Sequence, residues 1–204
     1  MRIVYGTGNP GKLQHMRTLL SELNLEIISI KDLGLPLPDI DESGNDTLEN
    51  AIIKAKAFYS AIKEPVFSVD SGLYFTEVTP DLQPGVHVRR VKGKILNDSE
   101  MTAYYAGLAH QFGGKLTAQY RNSLCLAISD TEFYTYNEPD IWSQQFLIVD
   151  KPHDKREEGF PLDCLSVNLR TGDYYYDRQS HEEIFDHPGF VTFFTKMMDD
   201  KILR

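Results

Sequence analysis

Residues 1–20 read MRIVYGTGNPGKLQHMRTLL, and this stretch predicts a strand, a tight turn and a helix in that order. Arg2 to Gly6 carries a short apolar run, and from about Pro10 to Leu23 apolar residues recur at helical spacing. Asn9 suits the N-cap of that helix, with Pro10 at its first position. A second strand at 25–30 would complete a β-α-β unit, which is typical of an α/β fold.

The rest of the chain alternates helices and strands early and clusters strands late, which predicts a mixed sheet and a second lobe. No repeat or linker is visible, so we expect one domain over residues 1–204. The predicted elements are a loop at 33–44, a helix at 46–63 capped by Asp46, a short strand ending at 70–72, a helix capped by Asp98 or Ser99 and ending near Phe112, strands at 118–128, 132–136, 143–149 and 165–168, and a helix at 190–203.

Composition limits the classes of function. The formal net charge of −9 disfavours broad contact with nucleic acid or an anionic membrane, because both favour a basic surface. The two cysteines, Cys125 and Cys164, are too far apart for a CxxC metal or redox motif. No apolar run approaches the roughly 20 residues that cross a bilayer. We therefore expect a soluble, cytoplasmic protein whose partner is a small molecule.

The turn GTGNPGK allows three interpretations. It fits the GxGxxG of a dinucleotide-binding turn through Gly6, Gly8 and Gly11, and Asp32 stands near the position of the acidic residue that contacts the ribose. It also fits GxxxxGK of a P-loop, except that Leu13 replaces the Ser or Thr that holds magnesium. The third interpretation is a TGNxxK pattern, and it gains weight from the segments that follow.

Four segments occur in a recognisable order: TGNPGK at 7–12, ESGNDTLENAIIKA at 42–55, VDSGL at 69–73 and PGVHVRR at 84–90. Together they resemble the inosine triphosphate pyrophosphatase family, most clearly over the first half of the chain. The resemblance implies an elongated mixed sheet flanked by helices, two lobes with a central cleft, and a homodimer. It also implies hydrolysis of aberrant purine nucleoside triphosphates (ITP, dITP, XTP) to monophosphate and pyrophosphate, with Mg²⁺ as cofactor.

The phosphate half of the site follows from these segments. Backbone amides at the start of a helix attract phosphate oxygens, and a nearby lysine adds a full charge. The resemblance assigns further roles: a lysine that grips phosphate, a catalytic aspartate, and an arginine after the Pro-Gly turn. Carboxylates at that aspartate and in the acidic loop could also hold magnesium, which prefers oxygen ligands. The predicted residues are Thr7, Gly8, Asn9 and Lys12 in the turn, Lys54 on the second helix, Asp70 and Ser71 after the short strand, Asp41 or Glu42 in the acidic loop, and Arg90.

The base-recognition half departs from the family. GFGYDP appears here as GFPLDC at 159–164, which keeps Phe160 and Asp163, and Ser-His-Arg appears as Asp186-His187-Pro188. A late lysine has no clear counterpart, and His15 replaces the glutamate of TGNxxKxxE. We predict Phe160, Asp163 and His187 as substrate contacts, and either a changed base preference or low base selectivity. The alternative is a catalytically weak nucleotide-binding or regulatory protein of the same fold.

Overall fold

A computed structural model describes residues 1–157, 159–177 and 187–203 of the chain. The strands are β1 (Arg2–Tyr5), β2 (Glu26–Ser29), β3 (Val66–Phe75), β4 (Arg90–Val91), β5 (Lys94–Ile95), β6 (Lys115–Ala127), β7 (Phe133–Tyr136), β8 (Phe146–Val149) and β9 (Ser166–Asn168). The helices are α1 (Pro10–Leu19), α2 (Thr47–Ile62), α3 (Asp98–Gln111) and α4 (Pro188–Asp199).

Seven of these strands form one mixed sheet in the order β2-β1-β3-β6-β8-β9, with β7 also paired to β6, while β4 and β5 form a hairpin. β1 pairs in parallel with β2 and β3, whereas β6 is antiparallel to both β7 and β8. The prediction of an α/β fold with a mixed sheet and flanking helices is confirmed.

The residues divide into two compact units. Unit 1 comprises Met1–Ser71, Arg121–Trp142 and His187–Arg204, and unit 2 comprises Gly72–Tyr120 and Ser143–Asp186. The cleft predicted between two lobes stays a prediction. Among the described residues, no helix combines the length and apolar character that crossing a bilayer requires.

Unit 1 buries both faces of its strands, because successive strand residues point to opposite faces. On one face Ile3 and Tyr5 of β1 pack with α1 and α4, and on the other face Val4 packs against Ala55 and Phe58 of α2. The unit therefore has helices on both sides of its strands, and the residues after β1 lie next to α2. In unit 2, α3 packs on strand residues of β6 and β8.

Several predicted boundaries were wrong. The first helix ends at Leu19 rather than Leu23, and β2 passes at Ile30 into a 3₁₀ turn, Ile30–Leu33. Asn97, not Asp98 or Ser99, caps α3, because its side chain accepts the amide of Glu100 while Glu100 accepts the amide of Asn97. The last helix begins at Pro188 and ends at Asp199.

The most consequential correction concerns the segment Asp70-Ser71-Gly72, which was predicted to end a strand. β3 instead continues to Phe75, and Leu73 exchanges two backbone hydrogen bonds with Gly85, at 2.9 and 3.0 Å. A Cβ on Gly72 would lie 3.0 Å from the Gly85 carbonyl oxygen, so glycine permits this close approach. Asp70 therefore projects from inside a buried strand rather than from a turn.

Candidate active site

The turn after β1 is built by its own side chains. The Asn9 Oδ1 accepts the amides of Gly11 (2.8 Å) and Lys12 (3.2 Å), which confirms Asn9 as the N-cap of α1. The Thr7 hydroxyl accepts the amide of Asn9 at 3.2 Å. Thr7, Gly8 and Asn9 thus lie at the positive end of α1. A phosphate oxygen bound there would compete with the Thr7 and Asn9 side-chain oxygens for these backbone amides.

Gly6 fixes the turn against α2. A Cβ at this position would lie 2.3 Å from the ring of Phe58, so only glycine lets the chain pass so near the helix. The turn also differs from the dinucleotide-binding pattern, in which the helix begins near the second glycine. Here α1 begins at Pro10 rather than at Gly8. Asp32 is engaged locally: it accepts the amide of Ser29 and forms an ion pair with Arg17 at 3.1 Å.

Three predicted residues meet at one point in unit 1. The Lys54 ammonium lies 2.6 Å from the Asp70 Oδ1 and 2.8 Å from the Glu42 Oε2. The Lys54 and Asp70 side chains are 13% and 8% exposed, while Glu42 is 46% exposed. Charge-assisted bonds of this kind are strong when shielded from water. The centre thus has one ammonium between two carboxylates, with Glu42 on its open side.

Lys12 lies within electrostatic range of this centre. Its side chain is half-buried, and burial together with the charge of Lys54 lowers its pKa, although Asp70 and Glu42 act in the opposite direction. Burial also tends to lower the pKa of Lys54, but the charge and hydrogen bond of Asp70 outweigh it, so the pKa is raised. The four side chains form what we call the charged centre: Lys12, Glu42, Lys54 and Asp70.

Asn50 is part of this arrangement and was not among the predicted site residues. It is 2% exposed, its Oδ1 accepts the Gly44 amide at 2.8 Å, and its Nδ2 donates to the Asp70 Oδ2 at 3.4 Å. The available signal was its position four residues before Lys54, since such residues share a helix face. Tyr5 is buried in the same unit, and burial together with the charge of Asp70 raises the pKa of its hydroxyl.

The metal ligands predicted here were Asp70 with Glu42 and Asp41. Glu42 joins Asp70 at Lys54, whereas Asp41 is exposed. Within residues 1–157, 159–177 and 187–203, no group of three or more His, Cys, Asp or Glu side chains is arranged to hold a metal ion. Two carboxylates nevertheless suit Mg²⁺, which is commonly held by one or two carboxylates together with substrate phosphates and water.

Ser71 and Arg90 lie outside the charged centre. Ser71 follows Asp70 in β3 and is half-buried. Arg90 is an exposed residue of β4 in unit 2. Its neighbour Arg89 is also exposed and forms an ion pair with Asp98 at 2.8 Å.

The predicted base contacts fall in both units. Phe160 and Asp163 belong to unit 2, where burial and the nearby Glu157 raise the pKa of Asp163 to about 7. Burial and Asp163 raise the pKa of Tyr176 to about 12, and in the described part of the chain its buried hydroxyl has no hydrogen-bond partner. Tyr176 lies in a 3₁₀ turn, Tyr175–Asp177.

His187 belongs to unit 1 and is 6% exposed. Its Nδ1 donates to the Trp142 carbonyl at 3.0 Å, and its ring meets His15 edge-on with centroids 6.2 Å apart. Burial and His187 lower the pKa of His15 to about 4. The segment in which the family's late lysine was sought, SHEEIFD at 180–186, lies outside the described residues.

The chain is similar to a known family and to curated proteins. The Ham1 family matches residues 3–163. The dITP/XTP pyrophosphatase of Rhodopseudomonas palustris is 36% identical over 133 residues, which is 63% of this chain and 61% of that protein. The chain thus spans about three fifths of that relative's length. The dITP/XTP pyrophosphatase of Malacoplasma penetrans is 39% identical over 174 residues, 82% of each protein.

The fold is also found among solved structures. The structure of a HAM1 protein from Coxiella burnetii superimposes with a TM-score of 0.71 at 23% identity, and the match covers 96% of this chain and 99% of the other. At this identity the likeness shows the fold alone.

Proposed function

The chain belongs to the Ham1 family, and from that membership we propose that it hydrolyses purine nucleoside triphosphates to a monophosphate and pyrophosphate. The names of the relatives from Rhodopseudomonas palustris and Malacoplasma penetrans support dITP and XTP as substrates, and ITP belongs to the same class. The observation that carries the proposal is the charged centre, because ammonium groups and carboxylates are both needed where a polyphosphate is bound and cut.

The proposed reaction forms a bond between a water oxygen and the α phosphorus and breaks the bond from that phosphorus to the oxygen bridging to the β phosphorus. Lys12 and Lys54 neutralise phosphate charge, and the start of α1 binds phosphate oxygens. Asp70 accepts the proton that the water loses. Pyrophosphate leaves with the bridging oxygen, so atoms and charge balance.

The Mg²⁺ implied by the family would be held by Asp70 and Glu42 and would neutralise phosphate charge in addition to the lysines. The donor set fits, because both are carboxylates and both contact the same ammonium. The Lys54 ammonium must then release at least one of them. Asp41 is exposed on the same loop and remains a candidate for an outer ligand.

Base selectivity is proposed to be weaker than in the family. Pro188 stands where the family has an arginine, and proline offers no donor to a keto oxygen. Buried donors that only the right base satisfies give large discrimination, on the order of 10⁴, so their loss reduces it. Phe160, Asp163 and His187 remain the proposed base contacts, and Arg90 and Ser71 proposed contacts of the phosphates.

Pyrophosphate release from ITP, XTP, dUTP and GTP with Mg²⁺ tests the proposal. We expect release from ITP and XTP, and a loss of about 10²–10⁴-fold in kcat for Asp70→Asn, because the proton acceptor is removed. Asp130→Asn is the matched control, since Asp130 is exposed and pairs only with exposed Lys63 in the described contacts. Equal failure on all four nucleotides would refute the proposal.

Binding without turnover is the outcome that would favour the alternative. A nucleotide that raises the melting temperature while no pyrophosphate appears would identify a nucleotide-binding protein that has lost catalysis. The homodimer and the cytoplasmic location also stay proposals, and sedimentation equilibrium at micromolar concentration tests the dimer.

A further inference from the structure

Asn50 is a buried polar residue inside α2, where its side chain has to find hydrogen-bond partners. It is 2% exposed and stands one turn before Lys54. A buried amide without partners costs on the order of 1–3 kcal/mol, so its presence at this position requires that the bonds be made. Both ends of the amide are in fact engaged.

The first partner is the acidic loop. The Gly44 amide donates to the Asn50 Oδ1 at 2.8 Å, and a Cβ on Gly44 would lie 2.6 Å from that same oxygen. Gly44 is buried, although residues on both sides of it are exposed. One attachment of the loop to α2 is therefore a buried glycine, two residues after Glu42.

The second partner is Asp70. Because the Oδ1 of Asn50 must face the Gly44 N–H, its Nδ2 faces Asp70 and donates to the Oδ2 at 3.4 Å. The other oxygen of Asp70 is held by Lys54 at 2.6 Å. Asn50 thus contacts the segments that carry both carboxylates and fixes the rotation of the Asp70 carboxylate.

We propose that Asn50 is a positioning residue of the charged centre, which fastens the Glu42 loop through Gly44 and orients the Asp70 carboxylate. This inference rests on the proposed function, since the reaction is what the positioning serves. Asn50 touches neither phosphate nor water in this role. It sets the distance between the Asp70 and Glu42 carboxylates, the groups proposed to act on water and phosphate. A displacement of about 1 Å at such groups costs on the order of 10²-fold in rate.

Two substitutions separate the two bonds. Asn50→Asp keeps an acceptor for the Gly44 amide but loses the donor to Asp70, whereas Asn50→Ala loses both. For Asn50→Asp we expect kcat for ITP to fall about 100-fold while KM changes less than about threefold. Asn24→Asp is the control, because it adds the same charge at an exposed position of unit 1 where the described hydrogen bond uses only the backbone carbonyl, and it should keep kcat within about twofold.

Hydrogen exchange of the Gly44 amide gives a readout that needs no nucleotide. We expect a slowly exchanging amide in the wild type and in Asn50→Asp, and exchange at least about tenfold faster in Asn50→Ala. Wild-type kcat in Asn50→Asp would overturn the role at Asp70, and rapid exchange in the wild type would overturn the role at the loop. Because exchange is measured without substrate, it tests the bond between Asn50 and Gly44 even if the protein does not catalyse the proposed hydrolysis. If Asn50→Ala does not fold, exchange in the wild type still tests the role at the loop, and kcat of Asn50→Asp still tests the role at Asp70.

Discussion

At the scale of single residues, Lys54 is the side chain on which the site depends. Its ammonium contacts two carboxylates at 2.6 and 2.8 Å while only 13% exposed. Removing one partner of such a buried group leaves the other charges uncompensated. Without substrate, the Lys54 ammonium therefore neutralises the two carboxylates, Asp70 and Glu42, that we propose as ligands of a divalent cation. Substrate phosphates would draw the ammonium away and free the carboxylates for metal.

This exchange predicts that Lys54 weakens metal binding to the nucleotide-free protein. Lys54→Met should bind Mn²⁺ about tenfold more tightly than the wild type, equivalent to about 1.4 kcal/mol, because the competing ammonium is gone. Titration with Mn²⁺ alone, followed by electron paramagnetic resonance, measures the affinity. Lys56→Met is the control, since Lys56 lies over the Phe133 ring, 5.0 Å from its centroid, on the same helix. Equal affinities in Lys54→Met and the wild type would contradict the exchange.

At the scale of elements, the ends of two helices determine the site. Asn9 closes the first turn of α1 and Asp46 that of α2, where its Oδ1 accepts the Glu49 amide at 2.8 Å. Each cap fixes where its helix begins, and so sets the position of Lys12 or Lys54 one or two turns later. The caps thus set where the two helices that carry the cations of the charged centre begin.

The cap of α1 should have a measurable effect on stability. Asn9→Ala removes the acceptor of two amides and should lower the free energy of unfolding by about 1 kcal/mol. Urea unfolding followed by Trp142 fluorescence measures the loss, since the chain has one tryptophan. Asn24→Ala is a suitable control, because Asn24 is exposed and its bond to the chain N-terminus uses the backbone carbonyl. A loss no larger than that of the control would show that the cap is dispensable.

The caps were predictable because their signals are local. Asn9-Pro10 and Asp46 stand immediately before the first turns of their helices, and the structure begins both helices there. The course of β3 was not predictable in this way, since Asp-Ser-Gly favours a turn in isolation. The strand is extended by partners distant in sequence: β6 in the sheet, and Gly85, twelve residues after Leu73. The contact of Lys54 with Asp70 likewise joins residues sixteen apart, and only the family resemblance pointed to it.

At the scale of the whole molecule, two half-buried titratable groups give opposite contributions to the pH dependence of stability. The pKa of His15, in unit 1, falls from 6.5 to about 4 through burial and the nearby His187. The pKa of Asp163, in unit 2, rises from 3.8 to about 7 through burial and Glu157. Between these limits His15 is proton-free in the folded chain but protonated when unfolded, whereas Asp163 is protonated when folded and ionised when unfolded.

Stability rises with pH when the unfolded chain binds more protons and falls when the folded chain does. His15 therefore adds stability as pH rises from about 4 to 6.5, by at most about 3 kcal/mol, and Asp163 removes stability as pH rises from about 4 to 7, by at most about 4 kcal/mol. Urea unfolding at pH 5 and pH 7 should show that, relative to the wild type, His15→Gln becomes less stable and Asp163→Asn more stable at the higher pH. Gln145→Asn, at an exposed side chain that does not titrate, should follow the wild type. If the stabilities of His15→Gln and Asp163→Asn also change with pH as the wild type's does, neither group is held in the protonation state that its burial implies. The pH dependence of the free energy of unfolding then comes from other side chains.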